Sequence, residues 1–169
     1  GAPDGSEIEI AEKHILWLKF ITKGKQCHAS TPHKGVNAFA AASLLVVRLG
    51  DLAKAYPASD PLFDPPVSTF TPTKKEANVP NVNTLPGEDV FYLDSRILPS
   101  IDLDGVMARI RSIADGVEKE CGVTVSIETV QRASSPATPA DAPIVKALRR
   151  AVTAIYGVPA RTMGIGGGT

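Results

Sequence analysis

The sequence is short of several residue types, and each shortage excludes something. Two cysteines in 169 residues are too few for a disulfide framework, and Cys27 and Cys121 lack the spacing of a metal-binding pair. A reducing cytoplasm is therefore the expected compartment. Aromatic residues make up 5% of the chain, without the closely spaced Phe/Tyr pattern on which an RNA-recognition sheet stacks bases. Eighteen basic residues balance eighteen acidic ones, so no net field draws the chain to nucleic acid or anionic lipid, and a charged ligand must be bound locally. The longest strongly apolar runs, such as AFAAASLLVV, fall well short of the roughly 20 residues that span a bilayer. The opening GAPDGSEIEI has neither the basic nor the apolar region of a secretory signal.

What is present suits a soluble globular protein with one core and an appendage: 43% apolar and 21% charged residues. Residues 15–22, ILWLKFIT, read as a strand buried on much of both faces. Asn37 can cap a helix that carries Ala38, Ala42, Leu45, Leu49 and Leu52 at helical spacing and stops at Pro57. Strands follow at Val67–Thr73 and Asp89–Leu98. A second helix behind Asp102 carries Leu103, Met107, Ile110, Ala114 and Val117, and Gly122 breaks it. VTVSIETV then alternates with period two. The order β-α-β-β-α-β predicts an α+β, ferredoxin-like fold: a four-stranded antiparallel sheet with two helices on one face. Beyond it, ASSPATPAD reads as a linker at 133–141. A third helix follows through Ile144, Leu148, Ala151 and Ile155, then a short strand near Ala160–Ile165. Both ends, GAPDGS and GIGGGT, look like connections rather than termini, which suggests a fragment.

Two of the three histidines share one loop, GKQCHASTPHKGVNA. Pro32 restricts itself and Thr31, so His28 stands on a stiff corner just past a strand end. There an imidazole can donate to an oxyanion; the plainer alternative is a polar turn. His33 reads as surface. The His-x4-His spacing tempts a zinc reading, but no third ligand lies near it. Cys27 and His28, adjacent on an extended segment, point to opposite faces, so Cys27 reads as a small hydrophobe rather than a nucleophile. Asn83, before TLPGE, is either a side-chain amide donor or a turn residue bonding its own backbone. Alternation puts Asp94 and Arg96 on one face, as an ion pair or with Arg96 free to clamp a substrate carboxylate. The terminal GGGT, with Gly168 and Thr169, can offer backbone N–H groups to an anion.

Together, the His28 loop, VNTLPGE followed by FYLDSRILP, and MGIGGGT resemble the aminoacylase/carboxypeptidase-G family of dinuclear zinc hydrolases. The acetylornithine deacetylase and succinyl-diaminopimelate desuccinylase branch is the most similar. The resemblance implies a lid and dimerisation domain at residues 12–132, inserted into a zinc-bearing catalytic domain. Residues 1–11 would be a linker from that missing domain, and 133–169 a linker and the start of its C-terminal segment. It further implies that His28 and Asn83 reach the partner subunit's active site across a homodimer, and that Arg96, Gly168 and Thr169 contact substrate. Two zinc ions (or cobalt) would sit in the full-length parent and none in this chain, whose histidines stand only at 14, 28 and 33. The parent would cleave N-acyl amino acids while the fragment would be inactive. Two other readings stay open at this point: an amino-acid-binding regulatory module, and a purely structural dimerisation module.

Overall fold

In a computed structural model, residues 5–167 are described. The central layer is a four-stranded antiparallel sheet of β2 (His14–Lys23), β4 (Thr69–Lys75), β6 (Glu88–Ile97) and β7 (Thr124–Ala133), in the order β4-β6-β2-β7. Helices α1 (Ala38–Gly50) and α3 (Leu103–Cys121) pack against one of its faces. This is the expected α+β sandwich.

Alternation along β2 decides which face is covered. Leu16, Leu18 and Phe20 point to the helices and are fully buried, while Trp17, Lys19 and Ile21 face the other way. Phe20 stacks flat on Phe91 of β6, with ring centroids 4.7 Å apart. Each such side chain contributes about 1.5–3 kcal/mol by leaving water. The helices answer with Leu45 and Leu49 from α1 and with Val106, Ile110 and Val117 from α3.

The caps act as the sequence indicates. Asn37 accepts from the Ala40 N–H, and the Asp102 carboxylate accepts from Asp104 and Gly105. Gly122 ends α3 in the left-handed conformation, φ 68°. The helix expected over 37–56 breaks after Gly50 and resumes as the short α2 (Leu52–Ala55), which buries Leu52. Glycine inside a helix costs about 1 kcal/mol relative to alanine, which makes this the weak point.

The larger difference lies at the N-terminal end. The linker expected at 1–11 contains a strand, β1 (Glu7–Glu12), which pairs in parallel with β8 (Arg161–Ile165) and packs on α4 (Pro143–Tyr156) through Ile8, Ile10 and Val145. The six residues EIEIAE carry a period-two signal that the preceding Gly/Pro/Ser composition obscures. The four-stranded layer is thus inserted between two strands that are neighbours in space. The chain leaves this small sheet at Lys13 and returns through the segment after β7, where Thr138 N–H donates to the Ile10 carbonyl.

Candidate functional site

Two loops at one end of the central sheet meet through a two-rung ladder. In it β3 (Cys27–His28) pairs with β5 (Thr84–Leu85), setting His28 opposite Thr84. Further backbone bonds tighten the pair, from Ala29 N–H to the Asn83 carbonyl at 2.8 Å and from Gly24 N–H to Gly87 at 2.8 Å. The His28 loop closes on itself by reciprocal bonds between Lys25 and Val36. It then turns through a 3₁₀ segment, Pro32–Lys34, with proline at its start. Gly35 is required there: a Cβ would come within 2.5 Å of Cys27 Sγ and 2.6 Å of the Lys25 carbonyl.

The ring of His28 is oriented by its neighbours. Its Nδ1 accepts from the Ser30 backbone N–H at 3.1 Å and lies 2.7 Å from Ser30 Oγ. A backbone N–H can only donate, so the neutral ring carries its proton on Nε2. Asn83 is set by a relay: Thr84 Oγ1 donates to Asn81 Oδ1, and Asn81 Nδ2 donates to Asn83 Oδ1 at 2.6 Å. That leaves Asn83 Nδ2 turned toward His28 Nε2, 3.4 Å away. In this tautomer both groups are donors and neither satisfies the other. Both residues are exposed. An oxygen atom within 2.7–3.1 Å of each would accept two hydrogen bonds, the geometry of an oxyanion pocket.

Arg96 stands at the opposite end. The β2–β6 register sets Lys23 against Glu88 near the His28 loops and Ile15 against Arg96 far from them. At about 3.3 Å per residue, the stretch of β6 from Glu88 to Arg96 is about 26 Å long. The structure therefore brings His28 and Asn83 together and holds Arg96 apart from them. Arg96 forms the ion pair with Asp94, bidentate at 2.9 and 3.1 Å, and lies 5.4 Å from the centre of the Trp17 ring. Its Nη1 donates to the Gly167 carbonyl at 3.1 Å and reaches Gly166 at 3.4 Å. Of its five N–H groups, one on Nη2 has no partner among the described residues. Gly168 and Thr169 lie outside the described residues.

His33 is exposed on the 3₁₀ turn, and Cys27 Sγ points to the carbonyls of His28 and Thr31, each at 3.5 Å. Among the described residues, no three His, Cys, Asp or Glu side chains gather as metal ligands. Sequence reasoning missed Ser30, Asn81 and Thr84, which orient the donor pair. The three asparagines of NVPNVN were a visible signal, but the direction of the relay depends on β5 pairing with β3.

Residues 10–120 match the family described as the peptidase dimerisation domain. The chain belongs to that family. An uncharacterized metallohydrolase of Methanococcus maripaludis is 35% identical over 183 residues, a match covering 100% of this chain and 44% of that protein. Among solved structures, a tripeptidase from Staphylococcus aureus gives a TM-score of 0.77 at 19% identity, over 100% of this chain and 42% of that one. A hydantoinase/carbamoylase family amidase from Burkholderia vietnamiensis gives 0.71 at 21% identity, over 95% and 37%. At those identities the structural likeness is one of fold alone. This dimerisation-domain chain spans less than half the length of the proteins it matches. No helix among the described residues is long and apolar enough to cross a membrane.

Proposed function

We propose that this chain is the lid and dimerisation part of a larger metal-dependent amidohydrolase, and that each subunit lends His28 and Asn83 to its partner's active site. The observation that carries the reading is the separation of the two candidate half-sites. The donor pair lies at one end of the sheet, and Arg96 with the Gly166–Gly167 turn lies at the other, about 26 Å away along β6. One copy cannot apply both ends to one small substrate. Two copies related by a two-fold axis can, because each end then faces the other copy's opposite end. Membership of a dimerisation-domain family supports this arrangement.

The chemistry follows from the donors. When water adds to an amide carbonyl, negative charge develops on the oxygen. Nε2–H of His28 and Nδ2–H of Asn83, already oriented, would stabilise that charge without reorganising. Their exposure in this chain suits groups that meet a substrate bound on another subunit, where docking would expel water and strengthen both bonds. At the other end, the remaining Nη2 N–H of Arg96 would take a substrate carboxylate, and Gly168 and Thr169 are proposed to contact the same substrate. These residues do not fit a metal centre. Zinc or cobalt ions would be held by residues that the larger protein supplies. The names of the relatives, a metallohydrolase, a tripeptidase and an amidase, agree with amide cleavage. The wording of the loops favours N-acyl amino acids of the deacetylase and desuccinylase type, with a homodimer as the working unit.

The test is made on the intact parent enzyme. His28→Ala is compared with wild type for kcat on acetylornithine and succinyl-diaminopimelate, with bound metal and dimer mass measured alongside. Loss of one oxyanion donor is expected to lower kcat by about a hundredfold or more, with metal content and mass unchanged. An unchanged kcat overturns the assignment.

A further inference from the structure

Among the described residues Asp89 is the one buried carboxylate, 1% exposed, and it lies on the helix-facing side of β6 opposite Thr22. Burying a charge is costly unless partners compensate, so its partners show what it holds. Oδ2 accepts from Asn78 Nδ2 at 2.8 Å. Oδ1 lies 2.9 Å from Lys75 Nζ, outside hydrogen-bonding geometry, and that ammonium also sits 4.2 Å from the centre of the Phe39 ring at the start of α1. Asn78 in turn takes the Val79 N–H on its own Oδ1 at 2.6 Å.

Asn78 opens the segment NVPNVN, which ends on Asn83. The far end of that segment is fixed by the bond from Ala29 N–H to the Asn83 carbonyl. Its near end has Asp89, together with the bond from Glu76 N–H to the Val90 carbonyl. The Asn81–Asn83 relay lies between these two anchors.

We propose that Asp89 is a positioning residue for the His28–Asn83 donor pair, acting through Asn78 on the loop that aims Asn83. Its relevance to catalysis rests on the function proposed above, whereas the positioning itself is a property of this chain. The carboxylate supplies from the core a fixed acceptor that an exposed asparagine loop cannot supply for itself. Packing and charge neutralisation alone would require neither an acceptor facing Asn78 nor one at that distance.

The experiment uses the 169-residue chain. NMR follows the ring nitrogens of His28, the side-chain amide of Asn83 and the backbone order parameters of residues 78–83, in wild type, Asp89→Ala and Asp89→Asn. In Asp89→Ala the order parameters are expected to fall from about 0.85 to below about 0.6. The Asn83 amide signals should move to solvent-averaged positions, and the His28 nitrogens should lose their wild-type shifts. Asp89→Asn keeps an oxygen for Asn78 and should restore all three, although the charge contact with Lys75 is gone. A folded Asp89→Ala with wild-type Asn83 and His28 signals overturns the proposal, and so does failure of Asp89→Asn to restore them. If Asp89→Ala does not fold, Asn78→Ala cuts the same link from an exposed position and is read the same way. The outcome is independent of the kcat measurement on the parent, so either proposal can fall without the other.

Discussion

Lys13 lies where the chain passes from the small parallel sheet into the central one. It is 3% exposed, and its ammonium donates to the Pro65 and Val67 carbonyls at 2.8 and 2.7 Å. Lys13→Met keeps most of the unbranched stem and removes the donor. Two hydrogen bonds from a charged group contribute about 1.5–3 kcal/mol each, and the variant leaves both carbonyls without this partner. Relief from burying the ammonium offsets part of that loss. The expected net loss is about 2–4 kcal/mol, a large share of the roughly 5–15 kcal/mol by which domains are stable. At about 2–4 °C per kcal/mol, Tm should fall by roughly 4–16 °C. Urea unfolding of both proteins measures the difference directly, provided the slope m is unchanged. A loss below about 1 kcal/mol would refute the reasoning, since the two carbonyls would then be satisfied without Lys13. The pH dependence gives a second check. Burial holds the Lys13 pKa below its ordinary 10.5, against an opposing pull from Asp64. Between the lowered value and 10.5 the unfolded chain binds a proton that the folded chain has released, so this group makes stability rise with pH. The wild type should therefore gain on Lys13→Met as pH climbs toward 10.5, and a narrowing gap would contradict the burial argument.

Gly164 of β8 lies against the Phe63 ring, and its N–H donates to the Leu62 carbonyl at 2.7 Å. Gly164→Ala would drive a methyl into that ring and should destabilise by about 1–3 kcal/mol, with Phe63→Leu recovering part of the loss in a double-mutant cycle. On the open face of the sheet, Tyr92 donates to Glu76 Oε1 at 2.6 Å. That bond holds the Glu76 carboxyl below its ordinary 4.5, and the tyrosine is held above 10.0 chiefly by the same bond. The glutamate's contribution is present above pH 4.5 and lost as pH falls through its lowered value. The tyrosine's is present below pH 10.0 and lost as pH rises through its raised one. Tyr92→Phe should flatten both edges of the stability profile in pH-dependent thermal melts, and a profile of unchanged shape would show that the bond does not form.

Elements with their own periodicity and their own stop were legible in the sequence. The β2 run, the caps at Asn37 and Asp102 and the Gly122 stop all appear where local chemistry puts them, because each depends on residues a few positions apart. β1 was missed although EIEIAE alternates, because a six-residue strand whose partner is more than 150 positions away has little local signal to separate it from a linker. The same division runs through the candidate site. Pro32 marked the His28 corner as stiff, and Asn83 before TLPGE stood out as a candidate amide donor. The sequence alone thus determined the fold class, the order of the elements and the stiff corner that carries His28, all of which follow from short-range sterics, capping and burial periodicity. Only the tertiary structure decided that Asn83 stands 3.4 Å from His28, that Arg96 is at the far end of the sheet and held by Asp94, and that residues 7–12 close a second sheet. The meeting of Asn83 with His28, the distance of Arg96 from them and the closing of the second sheet depend on which strands pair and in what register, which residues far apart in the chain settle together.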